Sequence, residues 1–150
     1  MRSAARTANE KTPGVAEPHV LDTSALLALL EDEEGADTVE RVLHHEKVFV
    51  SFISLMEFLY VKLREQGEER AGMAYALLKA MPIHVVESDE ELCMLAAHIK
   101  AAHRLSLADA WIAATAERLG AILVHKDPEF DAFTERLKML RLPAKPGRIS

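Results

Sequence analysis

From Val20 onward, short apolar runs alternate with stretches whose apolar residues recur at helical spacing. Val20-Leu21 begins a strand, and Ser24 to Leu30 reads as a helix. Ala36 to His45 places Val39, Val42 and Leu43 on one helical face. Lys47 to Val50 is a second strand. Ser54 to Gln66 forms a helix closed by Gly67, and Glu68 to Met81 forms another stopped by Pro82. Ile83 to Val86 is a third strand, followed by a helix from Asp89 to about His103. Leu107 to Leu119 is a helix ended by Gly120, and Ala121 to Val124 makes a fourth strand. Pro128 starts a final helix, and Met139 to Leu142 reads as a short edge strand. Strands separated by whole helices need crossover connections. The pattern therefore predicts an α/β domain, with a mostly parallel central sheet of four to five strands and helices on both faces.

The pattern stops at both ends. Residues 1–18 carry no hydrophobic periodicity and read as a disordered N-terminal tail, residues 19–142 as one domain, and 143–150 as a C-terminal tail. Ala25 to Leu30 is far shorter than the roughly 20 apolar residues of a bilayer span, so no membrane partner is expected. Cys93 is the single cysteine, which excludes a disulfide framework and makes a reducing cytoplasm the expected location. The 49% hydrophobic content excludes intrinsic disorder, while 24 acidic against 18 basic side chains leave a net charge of -6. That balance argues against broad electrostatic capture of nucleic acid, and 5% aromatics are too few for a base-stacking platform.

In an open α/β sheet, chemistry gathers at the carboxyl ends of the strands. Asp22 ends the first strand, Glu57 falls in the first turn of the helix after the second, and Asp127 follows the fourth. Asp109 opens the helix before that fourth strand. Each has a structural explanation. Ser54-x-x-Glu57 and Ser106-x-x-Asp109 fit capping boxes, as does Ser88-x-x-Glu91, where no chemistry is suggested. Asp22 and Asp127 suit helix N-caps. Four carboxylates at one rim, however, repel one another unless a cation bridges them. An all-oxygen donor set suits Mg2+ or Mn2+, which activate water or stabilise a phosphoryl group. The substrate would be a phosphoester or phosphodiester, with Arg104 and Lys126, and further Lys62 or Arg64, to offset its charge.

Four segments carry a resemblance: Val20-Leu21-Asp22-Thr23-Ser24-Ala25-Leu26, Ser54-Leu55-Met56-Glu57-Phe58, His103 through Ala116, and Leu123-Val124-His125-Lys126-Asp127-Pro128-Glu129-Phe130. In this order, they resemble the motifs of PIN-domain nucleases, and most closely the toxins of VapBC toxin–antitoxin pairs. The resemblance runs from about Val20 to Leu142. It implies a three-layer α/β/α fold and a divalent metal, Mg2+ or Mn2+, held by Asp22, Glu57, Asp109 and Asp127. Ser24 would orient the first acid or a metal-bound water. The implied activity is endoribonuclease cleavage of RNA, with a cognate antitoxin blocking the site and a habit of forming homodimers. His125 departs from the Thr or Ser common in relatives, and would contact substrate phosphate or alter metal preference. Asp131 is a lower-ranked stand-in acid on the last helix.

Other constellations carry less. No histidine pair has zinc-helix spacing, and Cys93 on an apolar helix face reads as a buried thiol. No Gly-rich phosphate loop follows a strand. Phe58, Leu59, Tyr60, Met73, Tyr75, Leu77 and Leu78 read mostly as core, with any surplus available to a dimer or antitoxin. Arg136, Lys138, Arg141, Lys145 and Arg148 form a basic run that would be solvated or touch RNA phosphate, and Glu31 to Glu34 reads as a solvated loop. Two other readings stand beside the nuclease: a non-catalytic protein-binding module and a metal-dependent phosphatase. On the nuclease reading, bound dications offset most of the acidic deficit at the rim. The net charge then predicts RNA binding that depends on metal.

Overall fold

The computed structural model describes residues 15–133 and 135–144. The elements follow in the order β1 (Pro18–Leu21), α1 (Thr23–Leu30), α2 (Ala36–His45), β2 (Lys47–Ser51), α3 (Phe52–Gln66), α4 (Glu68–Ala80) and β3 (His84–Val86). Then come α5 (Glu90–Ala102), α6 (Leu107–Leu119), β4 (Ile122–His125), a 3-10 helix (Pro128–Phe133) and β5 (Met139–Arg141). The strands form one sheet of order β3-β2-β1-β4-β5, parallel throughout.

The sheet separates two apolar cores, because side chains alternate along each strand. Val20 of β1 and Leu123 of β4 face α5, α6 and the 3-10 helix, packing with Ile99, Ile112, Phe130 and Phe133. Their neighbours Leu21 and Val124 face the other way, with Leu26, Val39, Phe58 and Leu78 of α1 to α4. Three layers result, with β1 at the centre. Gly35, which opens α2, has φ +95, and a Cβ there would lie 3.1 Å from Leu142 Cβ. This close approach fixes the last described residues against the helix.

Several local expectations change. α3 starts at Phe52 rather than Ser54, with Ser51 as N-cap accepting from the Ile53 N–H. Ser54 is instead buried with its hydroxyl unpartnered, and Glu57 sits in the second turn. Asp89, not Ser88, caps α5. Cys93 is exposed, because it falls on the outer side of α5 while Leu92, Ala96 and Ile99 take the core face. The segment after Pro128 is a single 3-10 stretch, short enough to turn Phe130 and Phe133 into the core. Glu31 to Glu34 is not freely solvated: Glu31 receives the buried Lys62 ammonium at 2.6 Å, and Lys126 reaches the Glu34 carbonyl at 2.9 Å. Of the basic run, Arg136 pairs with Glu117 and Arg141 with Asp131. Residues 1–14 of the expected first tail, and Lys145 and Arg148 of the second, lie outside the described residues. Among the described residues no helix is long and apolar enough to cross a membrane.

A candidate metal centre at the carboxyl rim of the sheet

Asp22 leaves the central strand directly into α1, and its carboxylate caps that helix. Oδ1 accepts from the Ala25 N–H at 2.8 Å and from the Ser24 hydroxyl at 2.7 Å. The Ser24 oxygen in turn accepts the Lys126 backbone N–H at 2.9 Å, and the Asp22 N–H donates to the Val124 carbonyl at 3.1 Å. Ser24 therefore latches the exit of β1 to the exit of β4. Asp22 is only 3% exposed. Burial pushes its carboxyl up to about 7 against the lowering effect of these hydrogen bonds, and the charges of Asp127 and Glu57 add to the rise.

Asp109 enters from α6. Ser106 is the N-cap and accepts the Asp109 N–H at 3.1 Å, and the Ser106 side chain also hydrogen-bonds the Asp109 carboxyl, which lowers its pKa against the larger rise from burial. The Asp109 carboxyl meets Asp127 and Glu129, and carboxylate oxygens of these three residues all lie within 4.8 Å of one another. Burial first, then a hydrogen bond with Glu129, then the charge of Asp127 push the Asp109 carboxyl up to about 8. The turn after β4 makes this convergence: Asp127 Oδ1 accepts the Glu129 N–H at 2.9 Å, which brings both acids to one side of the 3-10 helix.

Of the other residues singled out by the sequence, Glu57 lies at the edge of the cluster. Its Oε1 accepts the Thr23 hydroxyl at 2.6 Å, and its charge is felt by Asp22. His125 is 1% exposed; its Nδ1 lies 2.9 Å from the Asp127 carbonyl and its ring packs edge-on against Phe130. Burial holds its pKa below the ordinary value. This environment corrects the expectation of a phosphate contact, since the ring belongs to the core and supports the Asp127 turn. The Lys126 ammonium is likewise taken by the Glu34 carbonyl, with Glu33 at 3.9 Å, so it does not extend freely over the rim. Arg104 is exposed in the loop between α5 and α6. Asp131 turns away to pair with Arg141 at 2.7 Å. The acid that sequence reasoning missed is Glu129, two residues before Asp131 and inside a segment already singled out. Thr23 was missed too, although its place beside Asp22 was the available signal.

The arrangement is a cluster of carboxylates at the ends of β1 and β4 and the start of α6. Residues 19–135 match the PIN domain family. The chain belongs to that family. No curated protein sequence matches it. Among solved structures, this PIN domain is similar to a chain of VapBC2 from Rickettsia felis, solved bound to a promoter DNA fragment. That similarity has TM-score 0.71 and 14% identity, over 84% of this chain and 99% of the other. It is also similar to VapBC-1 from nontypeable Haemophilus influenzae, with TM-score 0.65 and 24% identity over 83% and 97% of the two chains. A third is VapC20 from Mycobacterium tuberculosis, described as a sarcin-ricin loop cleaving toxin, with TM-score 0.64 and 23% identity over 77% and 94%. At these identities the likeness is one of fold.

Proposed function

We propose that this PIN domain is a divalent-metal-dependent endoribonuclease, the toxin of a type II toxin–antitoxin pair working in the cytoplasm. The observation that carries the reading is the convergence of Asp109, Asp127 and Glu129 oxygens within 4.8 Å beside the buried Asp22. The donor set fits Mg2+ or Mn2+, because every donor is a hard carboxylate oxygen. The upward shifts of Asp22 and Asp109 also mark a concentration of negative charge that a dication relieves. Asp22, Asp109, Asp127 and Glu129 would hold the ion, with Glu57 behind Asp22. When bound, the cation supplies stabilisation of the phosphoryl charge and activation of water.

The remaining residues hold this geometry. Ser24 orients Asp22 and ties it to β4, Thr23 orients Glu57, and His125 braces the carbonyl of Asp127. Arg104, exposed beside the start of α6, meets the RNA backbone. VapC20 and the VapBC pairs among the similar structures support an RNA substrate and an antitoxin partner. Support for protein partners, antitoxin or second copy, comes from Met56, Tyr60 and Leu63 on α3 with Met73 and Leu77 on α4. All five are apolar and exposed.

The test is cleavage of single-stranded RNA by the purified protein in Mg2+ or Mn2+, with and without chelator, beside Asp22→Asn. Cleavage is expected only with metal, and the variant should lose at least about 100-fold. Chelator-resistant cleavage, or a fully active variant, sinks the reading.

A further inference from the structure

Lys62 and Lys126, expected to offset phosphate charge, are both used in one other place. Glu31 to Glu34 lie in the link between α1 and α2, and this loop is stapled twice. On one side the Lys62 ammonium, its side chain 4% exposed, donates to Glu31 Oε1 at 2.6 Å and lies over the Phe58 ring. On the other side the Lys126 ammonium donates to the Glu34 carbonyl at 2.9 Å, with Glu33 at 3.9 Å. The backbone between the staples is fixed as well: the Glu33 N–H donates to the Ala28 carbonyl at 2.9 Å, and the Ala36 N–H to the Glu33 carbonyl at 3.0 Å. Asp32, at φ 50, is the one non-glycine residue with a left-handed backbone among the described residues. Such a conformation persists where its surroundings over-determine it.

We propose that this doubly stapled loop is a brace for the metal centre, with Lys62 and Lys126 as its positioning residues. The inference rests on the metal-dependent reading of the acid cluster and names what keeps its acids in register. The elements that the brace joins decide it. Asp22 caps the start of α1, α3 carries Glu57, and Asp127 follows β4; the loop is the end of α1, and its two staples run to the other two elements. Lys126 holds α1 at both ends, its backbone N–H donating to Ser24 Oγ at 2.9 Å and its ammonium to Glu34. The next residue is Asp127. A shift of Lys126 therefore passes to Asp127 through one stiff, planar peptide unit, and to Asp22 through the Ser24 hydroxyl. Lys62 follows Glu57 on α3, about 7.5 Å further along the helix axis, so its pair with Glu31 fixes that helix against α1. Lys62 stays in the brace because leaving it would strand an unpaired charge in the core. Groups that stand behind metal ligands set affinity by holding those ligands in place.

The test is Mn2+ binding by the purified full chain, measured by calorimetry for the wild type, Lys126→Met, Lys62→Met and the double variant. The sign of the change is diagnostic. Removing a lysine near a cation site takes away repulsion, so charge alone makes Mn2+ bind more tightly. Loss of a brace makes it bind more weakly. Each single variant should weaken binding by roughly tenfold, and the double variant by no more than the worse single one, because both lysines act through one loop. Lys126→Arg, which can still donate to the Glu34 carbonyl, should recover most of the loss. Affinity for a single-stranded RNA octamer in Ca2+ is read beside it at several salt concentrations. Removing a lysine that leaves the loop to meet phosphate would lower the salt slope by about 0.7, whereas removing a brace leaves the slope unchanged. Tighter or unchanged Mn2+ binding, losses that multiply in the double variant, or a lower salt slope overturns the proposal. Should Lys62→Met fail to fold, Lys126→Met and Lys126→Arg decide it by sign and rescue. A wild type without a saturable Mn2+ site removes the nuclease reading and the brace together, whereas a wild-type site that the variants leave intact removes the brace alone.

Discussion

Helices α5 and α6 begin in nearly the same way and end up in opposite electrostatic states. At α5, the Asp89 carboxylate accepts the Leu92 N–H at 2.8 Å; at α6, the Ser106 hydroxyl accepts the Asp109 N–H at 3.1 Å. Each first turn carries acidic residues, which the helix dipole favours modestly. Yet the Leu92 N–H and the Arg118 guanidinium hold the exposed Asp89 carboxyl below its ordinary range, while Asp109 is pushed up to about 8. The difference lies in what each helix start faces. Asp89 meets solvent and a cation, whereas Asp109 meets burial and two further acids. Helix-end chemistry is thus the weaker influence, and the tertiary surroundings decide whether an acid is a cap or a ligand in waiting.

The strongest way to break this comparison is to neutralise both acids. Asp109→Asn should lower metal-dependent RNA cleavage by at least about 100-fold, whereas Asp89→Asn should leave it within about twofold, its helix still capped. Equal losses in a gel-based cleavage assay would remove the distinction. A second test reads stability against pH in chelator. Asp22 and Asp109 bind protons more tightly folded than unfolded, so their contribution is complete below the unfolded value near pH 4. It is lost as pH rises through about 7 and about 8, and the melting temperature of the metal-free protein should fall across that interval. Asp89 works in the opposite direction, its contribution being lost as pH falls through its depressed value. Saturating Mn2+ at pH 8 should restore stability by about 2.7 kcal/mol at a hundredfold excess over Kd. A melting temperature independent of both pH and Mn2+ would contradict the cluster.

Smaller effects sharpen the picture. Glu129→Gln should weaken Mn2+ binding by roughly tenfold in calorimetry, and Asp131→Asn should not, because that acid is turned to Arg141. Equal effects would show that the 3-10 turn presents either acid. Asp89→Ala removes the cap itself, and should lower the melting temperature by a few degrees without changing metal affinity.

Local features were legible where their cause is local. Leu107 to Leu119 follows from an N-cap serine, helical periodicity and Gly120, and both ends fall as expected. The start of α3 is less legible: Ser54 fits a cap in the local pattern, but strand β2 runs straight into the helix and Ser51 takes that place. Cys93 sits beside apolar Met94 and Leu95, and only the packing of α5 shows that it faces outward. Glu129 and Asp131 are equivalent in sequence, and the 3-10 turn with its Asp127 bond separates them. Lys62 and Lys126 are held by the loop at Glu31 to Glu34 rather than left free for phosphate, an engagement across the fold that no local pattern marks.

The sequence by itself therefore determined the alternation of strands and helices, the parallel sheet and the position of Asp22, Glu57, Asp109 and Asp127 along the chain. These depend on periodicity, capping and crossover geometry, which act over a few residues or one connection. Only the tertiary structure decided which acids cluster together and which lysines are already paired. Those outcomes depend on distances between residues more than about 100 positions apart in the chain, as in the bond from Lys126 to Ser24 and the charge of Asp127 acting on Asp22. No pattern along the chain encodes them, because charge and burial act through space.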